Sequence, residues 1–215
     1  RDTISHYERS YRVISLYITP ETDISTINKT TVDNFIISLR ERNIASQTIT
    51  SYIKDLSAIL HFFMREEYMS SFSISAPRVD NHPVEIYTDE DLKRLLKKPN
   101  MKRCDFTEYT NWVIVNFFLG TGIRLSSLVA IKIKDIDFDN ELCNITHTKN
   151  RKALVIPING QLMKVIREYL KYRKPFSEED YLFCNTFGEQ INKFTLPENL
   201  RAYNKKRGVT RTGIH

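Results

Sequence analysis

The chain has 215 residues with 41% hydrophobic and 27% charged side chains, a globular balance with length for one large domain or two small ones. No run of about 18 apolar residues occurs, which argues against a membrane-spanning helix, and the start Arg1-Asp2-Thr3 shows no signal-peptide pattern. The net charge of +6 is uneven: residues 1–86 hold 9 Lys and Arg against 11 Asp and Glu, and residues 87–215 hold 23 against 15. A basic second part points to a polyanion partner, nucleic acid being the commonest, although a merely basic soluble protein would look the same.

Residues 3–18 place Ile4, Tyr7, Tyr11, Ile14 and Ile18 at three- and four-residue spacings, which predicts an amphipathic helix ending near Pro20. Thr30 and Thr31 offer N-caps for a second helix with Val32, Phe35, Ile36 and Leu39 on one face. A third helix starts after Ser46 and carries Ile49, Ile53, Leu56, Ile59, Leu60 and Phe63. These make a helical domain over residues 1–76. Residues 77–86 include Pro77 and Pro83, have no period and read as an extended linker, with the boundary near residue 80.

A second domain is expected over residues 87–215. Thr88 caps a helix with Asp89, Glu90 and Asp91 in its first turn and Lys97 and Lys98 in its last, an order that suits the helix dipole. An apolar helix over 108–119 puts Trp112, Val115, Phe118 and Leu119 inside and stops at Gly120-Thr121-Gly122. A short helix opens around Arg124 and runs to Ala130. Strands follow: Ile131, Ile133 and Ile136 lead to an Asp139-Asn140 turn, then Leu142 to Thr146, a basic turn at Lys149 to Arg151, and Ala153 to Ile158. Residues 160–173 return to helix, Tyr181-Leu182-Phe183 read as a short strand, and a helix over 194–206 ends at a Gly208 C-cap. The fold class is mostly α with a small antiparallel β-sheet, α+β.

The odd, widely spaced cysteines Cys104, Cys143 and Cys184 argue against a disulfide framework or a zinc ribbon. The histidines His6, His61, His82, His147 and His215 show no ligand spacing, so neither a metal nor a cofactor is expected, and a reduced, cytoplasmic setting fits best. Three segments carry chemistry. Gly120-Thr121-Gly122-Ile123-Arg124 breaks a helix just before an arginine and can aim a guanidinium at an anion; it also reads as a glycine-ended helix followed by a surface arginine. The Lys149-Asn150-Arg151-Lys152 turn mounts cations on a hairpin tip where a lysine can reach a phosphate or a leaving oxygen; it also reads as a solvated turn protecting strand edges. Gly208-Val209-Thr210-Arg211-Thr212-Gly213-Ile214-His215 follows a basic helix end with a histidine that, alone, carries no message.

In order and spacing these segments resemble the tyrosine recombinase (integrase) family. Arg124 stands in its Gly-Thr-Gly-x-Arg motif. Lys149 lies eight residues before Pro157, as the family's hairpin lysine does, and His215 opens its His-x-x-Arg motif. Asp135-Ile136-Asp137 also matches, and the helical block and linker look like the family's core-binding domain (SAM-like) and connector. Ser127 departs from the acidic residue common three positions after the arginine. The family's second arginine, its next histidine or tryptophan and its tyrosine nucleophile lie beyond the position of His215. The resemblance therefore implies that these 215 residues alone are inactive.

The resemblance implies a site-specific recombinase, of a phage or mobile element, that cleaves and rejoins double-stranded DNA through a 3′-phosphotyrosyl link. Arg124 would bind the scissile phosphate, Lys149 (or Lys152 on the same turn) would protonate the leaving 5′-oxygen, and His215 would bond the phosphate or assist proton transfer. Phosphate contacts are expected from Lys132, Lys134, Arg151, Lys152, Lys205, Lys206, Arg207 and Arg211. Ser46, Gln47, Thr48, Ser51, Tyr52 and Lys54 are expected to face the major groove, where a plain helix start with a solvated face is the other reading. A homotetramer is expected in the synaptic complex, with this length of chain monomeric by itself. The runner-up is a non-catalytic DNA-binding or regulatory relative, followed by a basic α+β interaction protein.

Overall fold

The computed structural model describes residues 2–79, 86–146 and 153–211. The chain divides into two compact units, Arg1–Pro83 and Val84–His215. The first is helical: α1 (Asp2–Ile14), α2 (Lys29–Glu41) and α3 (Ser46–Arg65). Ile49, Ile53, Leu56 and Leu60 recur at helical spacing on α3 and are buried against Val32, Phe35, Ile36 and Leu39 of α2. The N-cap of α2 is Asn28, not Thr30 or Thr31. Its carboxamide oxygen accepts from the amides of both threonines, and Thr31 Oγ1 accepts in return from the Asn28 amide.

The first helix differs more. Of its expected inner face only Ile14 is buried, while Ile4, Tyr7 and Tyr11 are 65%, 42% and 54% exposed. Beside Ile14 a polar contact joins α1 to α3: Asp55, a buried carboxylate, accepts from Ser10 Oγ at 2.5 Å and lies 2.9 Å from His6 Nε2. A buried polar group is tolerated because it is hydrogen-bonded.

The second unit contains α4 (Asp89–Leu96), α5 (Phe106–Thr121), α6 (Leu125–Leu128), β1 (Ile136–Asp137), β2 (Leu142–Ile145), β3 (Leu154–Pro157), α7 (Gly160–Arg173) and α8 (Leu196–Lys206). The strands form one antiparallel sheet in the order β1-β2-β3, with Ile136 opposite Cys143 and Cys143 opposite Ile156. The turn before β2 is held by the Asp137 carboxylate, which accepts from the amides of Asp139 and Asn140. Tyr109, Val113, Ile114 and Phe117 of α5 pack with Leu162, Ile166 and Tyr169 of α7 in the core. The mostly α architecture with a small antiparallel sheet is the expected fold class.

Local expectations fare unevenly. Helix α5 runs two residues further at each end, because Asp105 caps its start and Gly122 its end, and Leu119 is 53% exposed. Ile131 and Ile133 are not strand residues. The segment forms a short 3-10 turn, Ile133–Asp135, and its backbone bonds residues 178–182 instead: the Ile133 amide donates to Asp180 O and the Leu182 amide to Ile131 O. Those bonds also explain why Tyr181-Leu182-Phe183 is no strand: Tyr181 makes one isolated bridge, to Lys132.

Candidate functional site

Two glycines fix the turn that carries Arg124. A Cβ on Gly120 would lie 2.8 Å from Leu162 Cδ2, so its lack of a side chain lets α5 close onto the start of α7. Gly122 has φ 61°, the left-handed region that glycine enters freely, and its amide bonds Phe118 O at 2.8 Å to end α5. Ile123 then points into the core, and Arg124 becomes the N-cap of α6 with extended backbone. Its carbonyl accepts from the amides of Ser127 and Leu128, both at 3.0 Å. Ser127 and Leu128 are buried, and Gln190 Nε2 donates to Val129 O at 2.9 Å, so the turn is braced from below and behind. The Arg124 side chain is exposed and makes no ion pair or hydrogen bond with a described residue.

Other cations of the unit are committed. Lys132 Nζ and Lys134 Nζ converge on Glu179 at 2.9 and 2.6 Å. Hydrogen bonds from these lysines hold the Glu179 carboxyl below its usual value and raise Lys132. Lys206 Nζ lies 2.5 Å from Glu108, whose carboxylate raises it, and Lys205 is exposed without a partner among the described residues. Arg207 is 12% exposed, donates to the carbonyls of Arg94 and Lys97, and stacks 4.4 Å above the Tyr203 ring, so its guanidinium is part of the packing of α8 on α4. Arg211 Nη1 bonds Asp91 Oδ2 at 2.7 Å.

Lys149, Arg151, Lys152 and His215 lie outside the described residues. The expected strands before and after Lys149, Arg151 and Lys152 are present, β2 ending at Ile145 and β3 starting at Leu154. In the first unit, Ser46, Gln47 and Thr48 are exposed in the opening turn of α3, whose N-cap is Ala45. Lys54 is exposed, Ser51 is half-buried, and Tyr52 packs partly against the core. The carboxylates Asp91, Glu108 and Glu179 were missed as partners of the basic residues. Their sequence neighbourhoods signal only helix starts and loops, since the partners are far away in the chain. Among the described residues no group of His, Cys, Asp and Glu could hold a metal ion, and no helix is long and apolar enough to cross a membrane.

The second unit has the fold of an integrase catalytic domain, mainly helical around a three-stranded antiparallel sheet. A structure of the Tn1549 transposon integrase in complex with transposon right end DNA superposes with TM-score 0.79 at 18% identity, covering 95% of this chain and 73% of that one. A lambda integrase tetramer bound to a Holliday junction gives TM-score 0.74 at 15% identity over 99% of this chain and 62% of that one. The family model of the phage integrase family matches residues 85–215, and the chain belongs to that family, the tyrosine recombinases. Among curated relatives, tyrosine recombinase XerD of Listeria monocytogenes serotype 4b (strain F2365) is 22% identical over 97% of this chain and 73% of its own length. Tyrosine recombinase XerC of Chlamydia caviae is 22% identical over 88% of this chain and 62% of its own.

Proposed function

We propose that this chain is the greater part of a site-specific recombinase of a phage or mobile element that breaks and rejoins double-stranded DNA through a 3′-phosphotyrosyl intermediate. The observation that carries the reading is the Gly120–Arg124 turn, a braced mount that presents an uncommitted guanidinium to solvent. During transfer the phosphorus becomes five-coordinate and negative charge grows on its non-bridging oxygens. A guanidinium suits that charge, since its planar fork donates to two oxygens and stays protonated. Arg124 takes this role. Lys149 protonates the 5′-oxygen as it leaves, with Lys152 the alternative on the same turn, and His215 bonds the phosphate or relays the proton. The attacking tyrosine oxygen forms the new P–O bond, and the released 5′-hydroxyl, or that of a partner strand, reverses the step. In the family pattern the nucleophile follows His215, so none of the tyrosines of this sequence is assigned to it.

Affinity would come from both units: α3 residues Ser46, Gln47, Thr48, Ser51, Tyr52 and Lys54 toward the groove, and Arg151, Lys152 and Lys205 on the backbone phosphates. Lys132, Lys134, Lys206 and Arg211 would first have to exchange a carboxylate for a phosphate. The DNA complex of the transposon integrase and the tetramer of lambda integrase on a Holliday junction support a DNA partner and a tetrameric synapse. The buried Ser127, where the family often has an acidic residue, favours one alternative, a relative that binds DNA without cutting it. One assay separates the two. The full-length protein is incubated with nicked duplexes carrying its own site. The recombinase reading predicts a covalent protein–DNA adduct whose formation Arg124→Ala slows sharply while binding persists; binding with no adduct from the unaltered protein leaves the non-catalytic relative.

A further inference from the structure

Isoleucine and lysine alternate over residues 131–134. Ile131 and Ile133 are buried in the core, while Lys132 and Lys134 both reach Glu179. Lys132 Nζ lies 2.9 Å from Glu179 Oε2 and Lys134 Nζ 2.6 Å from Oε1, one amine on each oxygen. The Glu179 carboxylate accepts from no other described residue, and its side chain is 61% exposed. The other carboxylates that pair with cations of this unit have further tasks: Asp91 also accepts from the Thr88 amide, and Glu108 faces both Lys206 and Arg207. The two segments do not need these ion pairs in order to meet. The Ile133 amide donates to Asp180 O at 3.0 Å, the Lys134 amide to Glu178 O at 2.9 Å and the Leu182 amide to Ile131 O at 2.8 Å. Exposed ion pairs also add little to stability. Two ammonium groups brought together repel, so the carboxylate between them fills a place suited to an anion with two oxygens.

We propose that Lys132 and Lys134 form a binding site for one backbone phosphate of duplex DNA, and that Glu179 fills it in the free protein. A phosphodiester presents two non-bridging oxygens, as the carboxylate does, and carries the same single charge. Exchange of one for the other therefore conserves the charge and the hydrogen bonds of the site. The carboxylate is tethered beside the lysines and acts at high effective concentration, so a phosphate displaces it only when the rest of the protein already holds the duplex. The contact thus lowers affinity for DNA at large and leaves the site open to a duplex bound elsewhere on the protein. The inference rests on the reading of the chain as a DNA-binding protein and is independent of the cleavage chemistry.

The test titrates the full-length protein into a labelled duplex of unrelated sequence, read by fluorescence anisotropy from about 50 to about 300 mM salt. Glu179→Gln should bind a few-fold to about tenfold tighter at the low end. It should also steepen the slope of log affinity against log salt by roughly 0.9, the contribution of one more neutralised phosphate. Glu178→Gln removes the same charge from the next residue, which is exposed and has no ion pair with a described residue, and should change the slope much less. Replacing both lysines with alanine in the Glu179→Gln protein should cancel its gain. Glu179→Asp withdraws the carboxylate by one methylene and should show part of the gain, which keeps the test open if Glu179→Gln does not fold. A gain equalled by Glu178→Gln, a gain that survives loss of both lysines, or no gain in either Glu179 variant overturns the inference while the recombinase reading stands. Failure of the unaltered protein to bind even its own site overturns that reading and this inference with it.

Discussion

Helix α5 is capped by Gly122 with φ 61°; helix α8 is capped by Arg207, with Gly208 next at φ 69°, and arginines lie near both ends. After Gly122, Arg124 stays in solvent without an ion pair or hydrogen bond to a described residue. Around Gly208 the arginines are absorbed: Arg207 by two carbonyls and the Tyr203 ring, Arg211 by Asp91. Both ends have a glycine in left-handed backbone, so the fate of the cation is decided by what the rest of the fold brings alongside. A positive residue with a carboxylate at 2.7 Å can meet phosphate only by giving that carboxylate up, while an uncommitted one meets it directly. The contrast ranks the basic residues of this unit by availability, which net charge cannot do.

The strongest way to break the contrast is Arg124→Ala, expected to slow adduct formation by roughly a hundredfold to a thousandfold, on the scale of removing one donor to a transition-state oxyanion. Duplex affinity should change only a few-fold and thermal unfolding hardly at all. Arg207→Ala should do the reverse. It removes hydrogen bonds from a half-buried guanidinium and should lower the unfolding free energy by about 1 kcal/mol in urea titration, with the salt dependence of DNA binding unchanged. If Arg207→Ala instead flattens the salt dependence, Arg207 belongs to the DNA surface.

Smaller effects sharpen the picture. Gly122→Ala forces a side chain into left-handed backbone and should cost about 1 kcal/mol of stability, read by thermal melts. Lys205→Ala removes an uncommitted cation and should reduce the slope of log affinity against log salt by roughly 0.9, whereas Lys132→Ala, already paired with Glu179, should reduce it less. The smallest effect is on pH. Asp91 titrates below its ordinary value, chiefly because the Thr88 amide bonds it and with a further contribution from Arg211. Its stabilising contribution is therefore complete above the unfolded carboxylate value of about 4 and is lost as pH falls through the lowered folded value. Amide exchange near residues 208–211 should quicken below that pH, with no matching change at residues 122–128.

Much of this was readable from the residues. The stripe of Ile49, Ile53, Leu56 and Leu60, the Thr88 cap and the glycine stop at 120–122 encode their structures locally, within a turn or two of chain, and all three appear. The stripe of Ile4, Tyr7 and Tyr11 has the same period and ends up exposed, because periodicity reports that a helix has an apolar face and says nothing of whether its own unit covers it. The strand expected at Ile131 and Ile133 failed for a related reason: its backbone partners, 178–182, are distant in sequence and impose their own geometry. The basic residues divide likewise. The exposed turn at Arg124 was legible because neighbouring residues encode it. The commitment of Lys132, Lys134, Arg207 and Arg211 was not, since Glu179, Asp91 and the carbonyls of Arg94 and Lys97 come from elsewhere in the chain.

The central claim, that availability selects Arg124 as the cation for the reacting phosphate, is met most directly by a structure of the full-length protein bound to its own duplex. The account predicts the Arg124 guanidinium within roughly 3 Å of non-bridging oxygens of the scissile phosphate, with Arg207 still on its carbonyls and Tyr203. A scissile phosphate bound by Arg207 or Arg211, with Arg124 left in solvent, would contradict it.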